Sequence, residues 1–133
     1  MLAFLDTNIV IYLVEKPAPL GLPAAERVGQ LVEAEGRVVA SELVRMEARV
    51  GPLLRSDHGL LARFDAFFEN PDVHVVEITR AVCDRAADIR ARHRFGSLDA
   101  LHLAAAIEAG RVVFLTNDAR LQGFEGLRVE VLG

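Results

Sequence analysis

Apolar residues occur along this chain in two alternating arrangements, as short continuous runs and as longer stretches in which they recur every three or four positions. Short runs bounded by turn residues are typical of buried strands, whereas the wider spacing is typical of helices that pack on one face. The predicted strands cover residues 2–5, 38–40, 73–78, 112–115 and 127–131. The predicted helices cover residues 9–14, 24–35, 57–69, 80–94 and 98–109, with a further helix capped by Ser41 and a short turn at 118–121.

The alternation of strands and helices predicts an α/β fold of three layers, α/β/α, around a mainly parallel sheet of four to five strands. The length of 133 residues predicts a single domain over 1–133. Hydrophobic residues make up 52% of the chain, which fits a sheet buried on both faces or apolar surface kept for a partner.

Four acidic residues stand in apolar surroundings, where an ionised carboxylate is costly unless it is paired or binds a metal. Asp6 and Asp118 directly follow predicted strands, and Glu47 and Asp99 lie in the first two turns of predicted helices. In parallel sheets, ligands bind at the carboxyl ends of the strands. We therefore predict that one cation-binding pocket gathers all four side chains and is the active site.

The helix after Ser41 contains two candidate glutamates. Its predicted apolar face consists of Leu43, Met46, Val50 and Leu53. Glu47 falls on this face, whereas Glu42 falls beside arginines on the solvated side. Glu47 is therefore the better candidate for the site.

Carboxylate oxygens suit Mg²⁺ or Mn²⁺, and the scattered histidines and single cysteine give no zinc pattern. Without a cation, two carboxylates ~5 Å apart repel by roughly 3 kcal/mol at an effective dielectric constant of ~20. We therefore expect at least one carboxylate of the metal-free site to have a raised pKa.

The basic residues are almost all arginine, since Lys16 is the only lysine. Arginine is the better bidentate phosphate ligand, although a GC-rich genome also favours arginine over lysine. Four arginines that flank Glu47 or precede Asp99 are either solvated helix residues or contacts for a nucleic acid: Arg45, Arg49, Arg92 and Arg94. The formal net charge of −4 alone argues against a nucleic-acid partner.

Four motifs in this order resemble a PIN-domain ribonuclease of the VapC type, the toxin of VapBC toxin–antitoxin pairs. They are Asp6-Thr-Asn8, Ser41 with Glu47, the segment 97–105 that contains Asp99 and His102, and Thr116-Asn-Asp118. The resemblance covers almost the whole chain and implies a PIN-like fold.

The resemblance also implies an endoribonuclease that needs Mg²⁺ or Mn²⁺ and leaves a 5′-phosphate and a 3′-hydroxyl. Asp6 and Asp99 would hold the main metal, and Glu47 and Asp118 would complete the site. The implied partners are an RNA substrate, a VapB-type antitoxin and a second copy of the chain in a homodimer. Candidate apolar surface, much of which is expected to fill the core instead, comprises Leu20, Leu22, Leu60, Leu61, Phe64, Phe67 and Phe68.

Three other polar residues have two interpretations each. Asn8 and Thr116 could orient carboxylates or waters, or could be ordinary cap and turn residues. His102 follows Asp99 by three positions on the same helix. For His102 we favour a hydrogen-bonded core histidine over a site residue.

Other functions remain open at this point. A non-catalytic PIN-like module that binds RNA or a protein is the main alternative, and a DNA-directed nuclease fits the same acids. A phosphatase favours Asp-x-Asp after the first strand, but Asn8 occupies the second place. A phosphoacceptor receiver domain needs a late lysine near the acids, which this chain lacks.

The single cysteine, Cys83, cannot form an internal disulfide, and no signal peptide or apolar stretch long enough for a membrane span is visible. We therefore expect a cytoplasmic protein. Small apolar neighbours predict that Cys83 lies in or near the core.

Overall fold

The computed structural model describes residues 1–133 and contains one sheet, whose strands are β1 Leu2–Leu5, β2 Val38–Ser41, β3 Val73–Val76, β4 Val112–Thr116 and β5 Arg128–Val131. The strand order is β3-β2-β1-β4-β5, and every neighbouring pair is parallel. The predicted parallel sheet is confirmed, and it has five strands.

Six α-helices connect the strands: α1 Thr7–Glu15, α2 Gly21–Glu35, α3 Glu42–Leu54, α4 His58–Glu69, α5 Arg80–Arg92 and α6 Ser97–Glu108. A 3₁₀ helix spans Ala119–Gly123. Ser97 is a residue type that often caps helices, but Gly96 occupies the N-cap position of α6. The Ser97 hydroxyl instead accepts a hydrogen bond from Arg90 at 2.9 Å.

The side chains of β1 alternate between two cores, one on each face of the sheet. Ala3 and Leu5 pack with residues of α1 to α4. Phe4 packs with α5 and α6 on the other face, where its ring stacks on Phe114 with centroids 5.6 Å apart. The three-layer α/β/α prediction is confirmed.

Several residues considered as candidate surface belong to the first of these cores. Leu60, Phe64 and Phe68 all lie along one face of α4 and are buried. Leu22, by contrast, is 69% exposed. The expectation that much of the candidate apolar surface fills the core is therefore correct for Leu60, Phe64 and Phe68, which recur at helical spacing.

The predicted buried face of α3 is largely wrong. Leu43 is buried, but Met46, Val50 and Leu53 are all exposed. The helix instead packs through a second stripe consisting of Val44, Ala48 and Pro52. The sequence pattern favoured the face with the bulkier apolar residues. The smaller side chains of Ala48 and Pro52 let the helix approach its neighbours closely on the other face.

Cys83 is exposed, so its predicted core position is also wrong. Helix α5 buries Val82, Ala86 and Ile89. Cys83 follows Val82 and therefore points about 100° away from that buried stripe. No helix of the structure is both long and apolar enough to cross a membrane.

The sheet order brings the candidate residues to one place. The chain leaves the central strand β1 toward β2 on one side and later returns to β4 on the other side. Connections that diverge from neighbouring strands leave a crevice at the carboxyl ends of those strands. Asp6 lies there, and its backbone N–H donates to the Leu115 carbonyl of β4 at 3.0 Å.

Candidate active site

A cavity of about 240 Å³ opens at this crevice. All four acidic residues predicted from the sequence line it, and only one lining residue is hydrophobic. The lining consists of Asp6, Thr7, Asn8, Glu47, Leu98, Asp99, His102, Asn117 and Asp118. A larger cavity of about 450 Å³ beside β3 contains none of the predicted residues.

Asp6 is held in place from two elements. As the N-cap of α1, it accepts a hydrogen bond at Oδ1 from the Thr7 N–H at 2.8 Å. Its Oδ2 accepts a hydrogen bond from the Thr116 hydroxyl at 2.6 Å. Thr116 is fully buried, and the same hydroxyl accepts from the Asp118 N–H at 3.0 Å. Thr116 therefore orients one carboxylate and fixes the backbone that carries a second.

Glu47 reaches the cavity from the second turn of α3. Its Oε1 accepts a hydrogen bond from the Thr7 hydroxyl at 2.7 Å and lies 2.5 Å from Nε2 of His102. The His102 contact has the largest effect on the pKa of Glu47 and lowers it. Burial has the next largest effect and raises the pKa, and the Thr7 bond lowers it further. This carboxylate is therefore kept ionised by neighbours on α1 and α6.

His102 is buried, as predicted for a core histidine, yet it also lines the cavity. Its Nδ1 is buried and has no hydrogen-bond partner, so its polar contact with the protein is the one to Glu47. The interpretation of His102 as a hydrogen-bonded core residue is correct, but the bond is to a predicted site carboxylate.

Asp99 and Asp118 share a guanidinium. Arg120 Nη2 lies 2.6 Å from Asp118 Oδ2 and 3.3 Å from Asp99 Oδ2. Arg120 Nε donates to Asp118 Oδ1 at 3.0 Å. The hydrogen bonds from Arg120 lower the pKa of Asp118.

The pKa values of Glu47 and Asp118 are both lowered, so neither is the carboxylate that was expected to have a raised pKa. The expectation considered only repulsion among the acids. Hydrogen-bond donors on His102, Thr7 and Arg120 stabilise the ionised forms and outweigh the opposing effect of burial.

Asn8 lines the cavity, but its side chain makes no hydrogen bond to an acid. Its side-chain amide donates to the Asn117 side-chain oxygen at 3.2 Å. Asn117 in turn donates to the Tyr12 hydroxyl at 2.7 Å. The chain of polar contacts ties the start of α1 to the segment after β4, which shapes the cavity rim.

The four arginines proposed as nucleic-acid contacts divide into two pairs. Arg45 and Arg49 lie 3.8 and 2.9 Å from Asp65 of α4. Arg92 and Arg94 are exposed. The first pair therefore already has a carboxylate partner within the fold.

A sequence model of the PIN domain matches residues 3–127. This chain belongs to the PIN domain family. The PIN-domain prediction drawn from the four motifs is therefore confirmed. A comparison with curated proteins found no significant match.

Solved structures share the fold of this PIN domain over nearly its whole length. A chain of the Rickettsia felis VapBC2 complex, bound to a DNA fragment from its promoter, has a TM-score of 0.79 at 19% identity, with 100% of both chains covered. A chain of DNA-bound VapBC from Salmonella typhimurium has a TM-score of 0.71 at 23% identity, with 98% of both chains covered. VapC20 of Mycobacterium tuberculosis is a toxin that cleaves the sarcin–ricin loop. It has a TM-score of 0.73 at 20% identity, with 95% of this chain and 98% of the VapC20 chain covered.

The donor atoms of the PIN-domain cavity fit a hard divalent cation in kind. Carboxylate oxygens dominate the cavity, and Mg²⁺ needs only one or two carboxylates because it keeps several waters. In the present side-chain arrangement, no group of three His, Cys, Asp or Glu side chains could hold a metal ion. Asp99 and Asp118 nevertheless already enclose a cationic group, that of Arg120.

Two residues that bond to the site carboxylates escaped prediction from the sequence. Thr7 stands inside the Asp6-Thr-Asn8 motif, but its bond to Glu47 joins residues 40 positions apart, which no local pattern indicates. Arg120 follows Asp118 by two positions. The available signal was its position in a short 3₁₀ helix that Asp118 caps, which keeps Arg120 close to the Asp118 carboxylate.

Proposed function

We propose that this PIN domain is a metal-dependent endoribonuclease, the toxin component of a toxin–antitoxin system. The observation that carries the proposal is the placement of Asp6, Glu47, Asp99 and Asp118 in one cavity of a PIN fold. Similarity in fold to VapBC and VapC structures supports the toxin assignment.

In this proposal, Asp6 and Asp99 hold the principal Mg²⁺ or Mn²⁺, and Glu47 and Asp118 complete the site directly or through water. A divalent cation supplies a water of lowered pKa and stabilises charge on the phosphodiester. Thr116 keeps Asp6 oriented toward the cavity through its 2.6 Å bond.

Two further residues act on the carboxylate of Glu47. Thr7 and His102 hold Glu47 in its ionised form, which can attract a cation or accept a proton from water. The RNA strand would approach over the exposed side of the cavity, where Leu98 offers a surface that is 49% exposed.

Cleavage of a mixed RNA pool tests the activity. We expect the purified wild-type protein to cut RNA with Mg²⁺ or Mn²⁺, to lose activity with EDTA and to regain it when the metal is restored. Asp6→Asn and Asp99→Asn should each abolish cleavage while the protein stays folded. Glu42→Gln is the matched control, because Glu42 is an exposed acid at the start of α3.

Three outcomes would contradict the proposal in different ways. Undiminished cleavage by Asp6→Asn would remove this cavity as the active site. RNA binding without cleavage would favour the non-catalytic PIN module. Cleavage of DNA in preference to RNA would reassign the substrate.

The proposal includes two protein partners. Co-expression with a VapB-type antitoxin should relieve growth arrest caused by the wild-type protein, and Asp6→Asn should cause no arrest. We also propose a homodimer, which light scattering at tens of micromolar should detect. A monomer at that concentration would remove the dimer, and arrest by Asp6→Asn would remove the nuclease explanation of toxicity.

A further inference from the structure

Arg120 is the one arginine that bonds to acids of the cavity, and it lies at the mouth. Its side chain is 71% exposed. The same Nη2 atom contacts Asp118 after β4 and Asp99 in the first turn of α6. One guanidinium therefore joins two carboxylates that come from separate elements.

The guanidinium retains donors for another anion. Nε and Nη2 make all of the hydrogen bonds from the Arg120 side chain. Nη1 makes none, so two of the five N–H groups of the guanidinium have no partner within the protein. A guanidinium binds phosphate in the same planar, two-pronged manner as carboxylate.

A divalent cation and Arg120 compete for the same oxygens. Both are attracted to Asp99 and Asp118, and a cation bound there would repel the guanidinium. Arg120 is exposed and sits on a short 3₁₀ helix, so its side chain can rotate away without disturbing the core. The nearest anion available to the displaced group would be the backbone of the entering nucleic acid.

We propose that Arg120 is a substrate-binding residue that serves two anions in turn. In the metal-free site it holds Asp99 and Asp118 together, and in the loaded site it donates to a phosphate of the RNA strand. This inference rests on the proposed function, since it requires both a divalent cation and an RNA at the cavity.

The proposal gives two effects of opposite sign for Arg120→Gln. Affinity for Mn²⁺ should rise about two- to fivefold, because the exposed ion pairs that compete with the metal are weak. Affinity for RNA should fall about tenfold, the effect of losing one charge-assisted hydrogen bond. A residue with a purely structural role would lower both affinities.

Binding measurements separate these effects from catalysis. Isothermal titration calorimetry with Mn²⁺ alone gives the metal affinity. Fluorescence anisotropy with a 2′-O-methyl RNA oligonucleotide in the presence of Mn²⁺ gives the strand affinity. Arg37→Gln is the matched control, because it removes the same charge from an exposed residue before β2, at the opposite end of the strands.

Arg120→Lys provides a second variant that keeps the charge but loses the planar fork, and it should recover only part of the RNA affinity. Circular dichroism melts should show both Arg120 variants folded. If Arg120→Gln matches Arg37→Gln in both titrations, or lowers both affinities, this inference is overturned while the proposed function stands. A wild-type protein that binds neither Mn²⁺ nor RNA would overturn the proposed function and this inference together.

Discussion

Replacing Thr116 by valine should destabilise the protein through the loss of one hydroxyl group. Thr116 is fully buried. Its hydroxyl donates to Asp6 at 2.6 Å and accepts from the Asp118 N–H at 3.0 Å. Valine has nearly the same shape, so the substitution removes both bonds and leaves little empty space.

The expected magnitude follows from the two bonds and the added methyl group. A hydrogen bond to a charged group contributes about 1.5–3 kcal/mol and a neutral one about 0.5–1.5 kcal/mol. The buried methyl of valine offsets about 0.8 kcal/mol. We therefore expect the free energy of unfolding to fall by about 2 kcal/mol, which for a domain of this length lowers Tm by roughly 6–10 °C.

Urea unfolding followed by circular dichroism measures this change, and a double-mutant cycle with Asp6→Ala isolates the charged bond. We expect a coupling energy of about 1.5 kcal/mol or more between residues 6 and 116. Thr116→Ser keeps the hydroxyl and should lose only about 1 kcal/mol from the missing methyl. Additive single and double mutants, or a Thr116→Val protein as stable as wild type, would refute the reasoning.

Two further predictions concern ionisation. Arg27 donates twice to Glu130, at 2.6 and 2.8 Å, and the Arg27 hydrogen bonds lower the pKa of Glu130. A lowered folded-state pKa stabilises the fold above the ordinary value of about 4.3 and loses that effect as pH falls through the folded pKa. Arg27→Gln should therefore be less stable than wild type in urea at pH 7, and the gap should close on acidification; a gap independent of pH would count against the ion pair. His102→Leu removes the donor that does most to lower the pKa of Glu47, so that pKa should rise. Carbon-13 NMR of the glutamate carboxyl groups measures it, and an unchanged midpoint would show that the 2.5 Å contact does not control Glu47.

The fold was largely predictable because each element satisfies its own local pattern. The run 2–5 is apolar throughout and ends at a polar cap, so both the strand and the start of α1 follow from a few neighbouring residues. The convergence of Asp6 and Asp118 also followed, because parallel strands deliver their carboxyl ends to one edge.

The mispredictions arose where the sequence offers two apolar stripes on one helix and tertiary packing determines which of them is buried. Helix α3 has a bulky apolar stripe that includes Met46 and Val50 and a smaller one that includes Val44 and Ala48, and only the smaller one faces the core. His102 was correctly interpreted as a hydrogen-bonded core residue, but its partner, Glu47, lies 55 positions away and was not foreseen. Neither choice is encoded in spacing along one helix.

The bond between Thr116 and Asp6 spans 110 positions, nearly the length of the chain. A ribosome must therefore translate β4 before the first strand acquires its second neighbour. Prematurely terminated products that stop ahead of residue 112 would carry three of the four acids but lack the strand that aligns them. For the ribonuclease toxin proposed above, this dependence would delay any damage to RNA until synthesis is almost finished.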